Sequence, residues 1–461
     1  MDSEQEQYKA YQEDPRIPCR FGVKCYQKNP IHHKTYKHPP AKDTQKIVKR
    51  TQKRKEPSKR KERSENGTSP SPEKKFQKRC DSIIDESSAD KDIEHTANNT
   101  VNNDKENSEI VEDESSTQAL ESIKSSIDCI TIASLLKDCN VNIESGTLLP
   151  PDAQTVISHL FLTEMPEDFF QFFEFLQSIS KDDPLNALKD IHLQLVGPYD
   201  VFEKKFFNLK VCDKKTLLRH WRYYYDPPEF QTVVKVDDKD GLHFGYWRDE
   251  PSKMPVFVAM NKENVNCTIA PVAENLFGML DWFIAEKLKQ ANPFKKMSIT
   301  LLQQKLKRYA REKNIALDKQ TSNMQAREKK VVAKTFHKAG IVVPYDRKTE
   351  VGYRKLAVTD HELEQILEQI ENASTSEAKK ISISKIEEVI RLATIAADEY
   401  DFGTCLELGH DLFSSGLPFV HNKALNMLSL AYNLLQREEF SEIAGAHLVD
   451  RRHGSNLSVV T

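Results

Sequence analysis

Two groups of residues in this 461-residue chain have the types and spacing to do chemistry. Asp398 and Glu399 adjoin in Ile395-Ala-Ala-Asp-Glu-Tyr-Asp-Phe-Gly403. A carboxylate pair can accept a proton or face a basic partner. Cys19, Cys25, His32 and His38 follow a Cys-x5-Cys-x6-His-x5-His pattern in a segment punctuated by Pro18, Gly22, Pro30 and Pro39. Two thiolates and two imidazoles form a closed tetrahedral site for a structural zinc ion. A segment this short cannot bury a core without one. His33 adjoins His32, and the spacing selects His32. The pattern is not the short knuckle of a DNA-reading finger, and no recognition helix is expected after it.

The carboxylates need an element to hold them. Ile386, Val389, Ile390, Ala393 and Ala397 recur at the three-and-four spacing of an amphipathic helix, with Gly403 as its natural stop. Asp398 and Glu399 then fall in the last turn, where unpaired carbonyls already create a negative potential. Something must offset that repulsion. In a chain with 30% charged residues an Asp-Glu pair is ordinarily a solvated helix end, so any chemistry assigned to it rests on its surroundings.

Composition narrows the classes. The net charge of -3 conceals a basic block at 42–79, with fifteen Lys/Arg against five acidic residues, and an acidic block at 81–117, with twelve acidic residues against two lysines. Neither can pack, so 41–117 is expected to be a disordered linker. Clustered basic residues such as Lys49-Arg-Thr-Gln-Lys-Arg-Lys55 suit nuclear import or weak nucleic-acid contact. No apolar run reaches the roughly 18 residues of a membrane span, so no membrane role is expected. Eight cysteines show no disulfide framework, which points to a reducing compartment. No phosphate loop, nucleophile elbow or second metal cluster appears, and the chain looks incomplete as an enzyme by itself.

The fold class expected is α+β. A mainly helical, two-part globular core with a small antiparallel sheet follows a small zinc finger at 15–40, the linker, and a weakly helical lead-in at 118–147. The core is placed at 148–452 and a disordered tail at 453–461. Phe169, Phe172, Phe173 and Leu176 form an aromatic helical stripe, read as core. Gln231 to Val236, His243 to Arg248, Val256 to Asn261 and Cys267 to Pro271 read as a meander of strands. Helices are expected at Ala273 to Leu288, Glu362 to Ala373, Lys379 to Glu399, Cys405 to Ser414 and Ala424 to Leu435. From Lys287 to Lys355 there are nineteen Lys/Arg against five acidic residues, and from Leu356 to Arg452 eight against seventeen, giving a basic and an acidic side. Val351-Gly-Tyr-Arg-Lys355 sets Tyr353 and Arg354 side by side at a turn, a pairing enriched at binding hot spots.

The Cys19 to Pro39 segment resembles the poly(ADP-ribose)-binding zinc fingers. That resemblance implies that Phe21 and Tyr26 stack on adenine, with Lys24 and Lys28 meeting the pyrophosphate. Gln27 stands where the family carries Arg, which removes a planar cation and implies weaker binding. Over about 150 to 452, Pro166-Glu-Asp-Phe-Phe170, Leu195-Val-Gly-Pro-Tyr-Asp200, His220-Trp-Arg-Tyr-Tyr-Tyr-Asp-Pro-Pro-Glu-Phe-Gln-Thr232, Lys334-Thr-Phe-His-Lys-Ala-Gly340, Gly352-Tyr-Arg354 and Asp398-Glu-Tyr-Asp-Phe-Gly403 with Leu406-Glu-Leu-Gly409 form one collinear series. The series resembles the histone PARylation factor family.

This resemblance implies an accessory role in the DNA-damage response. Members dock on the catalytic domain of a poly(ADP-ribose) polymerase, which binds the NAD, and lend it a carboxylate that directs ADP-ribose to serine, histones included. The carboxylate corresponds to Glu399, the docking acid to Asp398, and the interface turn to Tyr353 and Arg354. Location at chromatin in the nucleus follows from the same resemblance. A non-catalytic adaptor that reads poly(ADP-ribose) is the alternative. A stand-alone hydrolase built on Asp398 and Glu399 ranks last, because no oxyanion or cation partner is visible.

Overall fold

The computed structural model describes residues 11–18, 34–40, 129–139, 141 and 150–461. It divides into two units, Met1–Glu121 and Ser122–Thr461. In the first, β1 (Ile17–Pro18) runs parallel to β2 (Tyr36–Lys37), with Ile17 opposite Tyr36 and Pro18 opposite Lys37. Lys37 Nζ donates to the Asp14 carbonyl at 2.7 Å and stands 5.2 Å from the centre of the Tyr11 ring. The chain thus enters and leaves the finger segment from paired positions. Of the expected finger residues only His38 is described; Cys19, Phe21, Cys25, Tyr26, Lys28 and His32 lie outside the described residues, as does the 41–117 linker.

The second unit opens with β3 (Ile130–Thr131), α1 (Ile132–Leu135), α2 (Pro150–Phe161) and α3 (Glu167–Ile179). The rest of the expected lead-in lies outside the described residues. On α3, Phe169, Phe172, Phe173 and Leu176 are all buried, as their spacing predicts. Phe169 stacks on Tyr199 with ring centres 3.9 Å apart, and the Tyr199 hydroxyl donates to the Phe169 carbonyl at 2.9 Å. Burial pushes the Asp168 carboxyl up to about 6, against the pull of donors from the Leu276 amide and the Tyr246 hydroxyl.

The chain continues through β4 (Leu193–Leu195), β5 (Lys210–Val211) and α4 (Lys214–Leu217) into β6 (Phe230–Val236), β7 (Leu242–Trp247), β8 (Phe257–Lys262) and β9 (Ala270–Ala273). The larger sheet is antiparallel, in the order β4-β6-β7-β8-β9. The meander is where the alternation places it, with one addition. Leu193-Gln-Leu195 also forms an edge strand, which three residues are too few to reveal by a period.

Helices α5 (Leu276–Gln290), α6 (Pro293–Glu312) and α7 (Ser322–Glu328) follow. The first part of the basic stretch is therefore helical and the part from 329 to 355 is loop and turn, and one of its cations is buried. Arg327 bonds Asp249 at 2.7 Å and the Gly340 carbonyl at 2.8 Å. The acidic half is the helical array α8 (Asp360–Glu371), α9 (Ser376–Asp398), α10 (Phe402–Ser414), α11 (His421–Leu434) and α12 (Glu438–Val449). Apolar side chains form one main core around α2, α3, α5 and the sheet, and another within α8 to α12.

Buried polar residues join the two. Arg222 donates to the carbonyls of Leu218, Pro227 and Phe230 and to Gln231 Oε1. Asp226 accepts from Thr232 Oγ1 at 2.6 Å and pairs with His243 at 2.8 Å. Glu229 reaches across to the helical array, pairing with His410 of α10 at 3.1 Å and accepting from the Tyr432 hydroxyl of α11 at 2.9 Å. Burial alone would raise the Glu229 carboxyl; His410 and Tyr432 reverse that and hold it below its usual range.

The tail corrects an expectation. Residues 453–461 were expected to be disordered, but Leu457 is fully buried beside Val196, Trp221 and Tyr223, and the Thr461 backbone pairs with Lys210. A single inserted leucine has no period to reveal it. No helix among the described residues is long and apolar enough to cross a membrane.

Candidate functional site

The end of α9, the start of α10 and the loop before α8 build one site. Helix α9 ends in a double hydrogen-bonded cap, with the Asp401 amide donating to the Ala396 carbonyl at 2.9 Å and the Tyr400 amide to Ala397 at 3.0 Å. This is the Schellman arrangement, and its left-handed position is filled by Tyr400 at φ 73° instead of a glycine. Gly403, expected to stop the helix, instead lies within α10. A Cβ there would stand 2.9 Å from Val343 Cγ2 and 3.0 Å from the Gly352 carbonyl oxygen, so the glycine admits the loop. The Gly403 amide donates to that same carbonyl at 2.9 Å. Gly352 itself sits at φ 113°, and a Cβ on it would meet the Pro344 carbonyl oxygen at 2.0 Å.

These close approaches bring the Tyr353–Arg354 turn over the end of α9. Arg354 Nη2 donates to Glu399 Oε2 at 2.5 Å and to Asp401 Oδ2 at 2.7 Å, and its Nε donates to the same Asp401 oxygen at 3.0 Å. Asp401 Oδ1 accepts from the Gly352 amide at 3.0 Å. Thr404 Oγ1 accepts from the Arg354 amide and donates to the Arg354 carbonyl at 2.6 Å. Arg354 thus offsets the charge crowded at the helix terminus. Burial opposes its charge, but the bonds to Glu399 and Asp401 more than compensate and raise its pKa above the ordinary arginine value.

Neighbouring acids face different surroundings. Asp398 is exposed, whereas Glu399 and Asp401 are buried beneath a guanidinium whose side chain is 49% exposed. Beneath the turn, Tyr353 faces Glu407 of α10. Burial, then the Glu407 charge, pushes the Tyr353 phenol up. Burial pushes the Glu407 carboxyl to about 7, with the Tyr353 hydrogen bond pulling the other way. Asp411, one turn on, is held well above the usual carboxylate range, mainly by burial, while accepting from the Phe336 amide at 2.8 Å.

Glu399, Asp398, Tyr353 and Arg354 therefore share one site. Sequence reasoning missed Asp401 as the residue that anchors the turn, and Glu407 beneath it. Asp401 stood inside the quoted motif, but nothing local shows that its side chain bonds residues about fifty positions away.

The histone PARylation factor 1 family model matches residues 152–451. This chain belongs to the histone PARylation factor 1 family. Histone PARylation factor 1 of Mus musculus is 41% identical over 305 residues, covering 65% of this chain and 87% of the mouse protein. That of Bos taurus is 40% identical over 305 residues, covering 66% and 88%. That of Danio rerio is 40% identical over 310 residues, covering 67% and 88%. A PBZ domain model matches residues 16–41, ahead of the histone PARylation factor 1 region. The PBZ match agrees with the Cys/His donor set and with the paired strand ends that flank it. Among the described residues no group of three or more His, Cys, Asp or Glu could hold a metal ion.

Proposed function

We propose that this histone PARylation factor completes the active site of a poly(ADP-ribose) polymerase by supplying Glu399 as a general base. The polymerase binds NAD and this chain does not. A serine hydroxyl ionises far above neutral pH and needs a base, whereas carboxylate acceptors arrive already ionised. A partner that adds only a base therefore redirects transfer to serine, histone serines included. The observation that carries this reading is the fixed Glu399 carboxylate at the edge of a turn whose guanidinium is half-exposed. Its orientation is held by the α9 cap and by Arg354, the preorganisation a positioned base requires. Asp398, Tyr353 and the outer part of Arg354 offer the polymerase a charged and aromatic docking edge.

The finger, zinc-bound through Cys19, Cys25, His32 and His38, would hold the factor near product polymer, with Phe21 and Tyr26 stacking on adenine and Lys28 near the pyrophosphate. Zinc there supplies folding of the segment. The division into finger at 15–40, linker at 41–117 and core from 148 belongs to this proposal, as does a nuclear, chromatin-associated location with weak nucleic-acid contact through the basic block. The match to the PBZ domain favours a second reading, a non-catalytic adaptor that reads poly(ADP-ribose). Serine-linked and acid-linked ADP-ribose, measured site by site with saturating Glu399→Gln, separates the two. Loss of serine labelling with retained polymerase binding supports the joint site. Near-normal serine labelling leaves the adaptor.

A further inference from the structure

We propose that Cys129 and Cys212 form a hydroperoxide-sensitive dithiol that closes to a disulfide at the point where the chain enters the core. Strand β3 pairs antiparallel with β5, with Ile130 opposite Val211 and Thr131 opposite Lys210. Extending this register by one residue past the ends of both strands sets Cys129 against Cys212. Both are free thiols and both are exposed.

The register also fixes which kind of pair they make. The Ile132 amide donates to the Leu209 carbonyl at 3.1 Å, the bond that flanks a non-hydrogen-bonded pair at 131 and 210, while the Leu209 amide turns to the Phe206 carbonyl. Alternation along an antiparallel ladder then makes 130 and 211 the hydrogen-bonded pair, and 129 with 212, like 131 with 210, a non-hydrogen-bonded one. The Lys210 backbone agrees, since its amide and carbonyl bond the Thr461 backbone instead. Non-hydrogen-bonded partners stand about 4.5 Å apart at Cα with their side chains closer together, within the disulfide range of roughly 4.4–6.8 Å. The other described cysteines differ. Cys405 is buried with its thiol donating to the Ala393 carbonyl, and Cys139 and Cys267 are half-buried.

The chemistry balances with a hydroperoxide as oxidant. One thiolate attacks the terminal peroxide oxygen and breaks the O–O bond, releasing an alcohol, or water from hydrogen peroxide, and leaving a sulfenic acid. The second thiol attacks that sulfur, an S–S bond forms, and water leaves. Two thiols are oxidised by two electrons and one peroxide is reduced. The product staples a two-residue ladder, a length with little stability of its own. It ties the residue just before β3 to the segment that leads into α4.

The test uses the full, zinc-loaded chain, because peptide mapping separates these cysteines from Cys19 and Cys25. Stoichiometric hydrogen peroxide followed by alkylation and non-reducing digestion is expected to give one linked peptide pair carrying Cys129 and Cys212. Both thiols should lose alkylation together and regain it with dithiothreitol. In Cys129→Ser, Cys212 should form no intramolecular link, and hydrogen exchange at the Ile132 amide, slowed about tenfold by oxidation in the wild type, should be unchanged. Independent oxidation of the two thiols, or a link from either one to another cysteine, overturns the proposal. Circular dichroism of Cys129→Ser and Cys212→Ser, both exposed and conservative, verifies that the variants are folded.

Discussion

Arg354 Nη2 stands 2.5 Å from Glu399 Oε2 and 2.7 Å from Asp401 Oδ2, so one half-exposed cation closes over two buried carboxylates. The candidate base and the candidate docking turn are therefore one electrostatic unit, and a substitution at either is felt by the other.

This bears on how charge reversal at Arg354 is read. Arg354→Glu would place a third carboxylate against Glu399 and Asp401, loosening the turn as well as changing the docking surface. Arg354→Lys keeps a cation but loses the fork that spans both acids. We expect Arg354→Lys to bind the polymerase about tenfold more weakly with little change in melting temperature. Arg354→Glu should lose binding and also lower stability by about 1–2 kcal/mol, discounted for the exposure of the guanidinium. Calorimetry beside a pull-down checks both; an unshifted melting temperature in Arg354→Glu would show that the ion pairs contribute nothing.

Asp401 should matter without touching the polymerase. Asp401→Asn keeps an acceptor for the Gly352 amide but turns an NH2 or a neutral oxygen towards Arg354. The expected cost is about 2 kcal/mol of stability, together with reduced serine modification through a displaced Tyr353–Arg354 turn. Wild-type stability in Asp401→Asn would mean that this network is slack.

Glu399→Gln and Asp398→Ala should fail differently. Glu399→Gln keeps volume and one hydrogen bond, so polymerase binding should persist while serine transfer falls roughly a hundred-fold to ten-thousand-fold at any concentration. Asp398→Ala, at an exposed position, should recover activity as its concentration rises. Titrating each variant into a fixed amount of polymerase separates the patterns; recovery by Glu399→Gln would place the base elsewhere.

Glu407 gives a pH prediction. Its folded-state pKa is about 7 against an ordinary 4.5, so the folded chain holds a proton that the unfolded chain releases between those values. Its contribution is thus present below about pH 4.5 and is lost as pH rises through about 7, by no more than about 3 kcal/mol. Glu407→Gln should raise the melting temperature at pH 8 and leave it nearly unchanged at pH 5. Equal shifts at both pH values would show that the carboxyl does not titrate in this window.

At the finger, the full chain should carry one zinc ion that Cys25→Ala loses, and acid should release it as thiolates and imidazoles take up protons. Tyr26→Ala should weaken poly(ADP-ribose) binding by on the order of 1 kcal/mol or more, and Gln27→Arg should strengthen it. Metal analysis and a polymer-binding titration check this pair; unchanged binding by Tyr26→Ala would make the finger a zinc clip alone.

Periodicity made the helices and the meander legible, because burial of one face leaves a repeat in the chain itself: the Phe169 to Leu176 stripe is core, and α9 ends at Asp398 with Glu399 as its C-terminal cap, one residue short of the expected end. The finger segment, which the PBZ domain model matches at 16–41, was recognisable for a similar reason, since ligand chemistry depends on residue type and short spacing. Contacts between distant segments leave no such trace. That Gly403 admits the Gly352 turn, that Tyr400 takes the left-handed position, and that Asp401 bonds Gly352 and Arg354 were decided by tertiary packing. So was the burial of Leu457, in a short tail whose few apolar residues show no repeat. The sequence determined that a helix would end in two acids at a point of unfavourable charge. Only the tertiary structure decided which cation meets them, because Arg354 comes from a turn about forty-five residues away that reaches the site only when two glycines let the backbones touch.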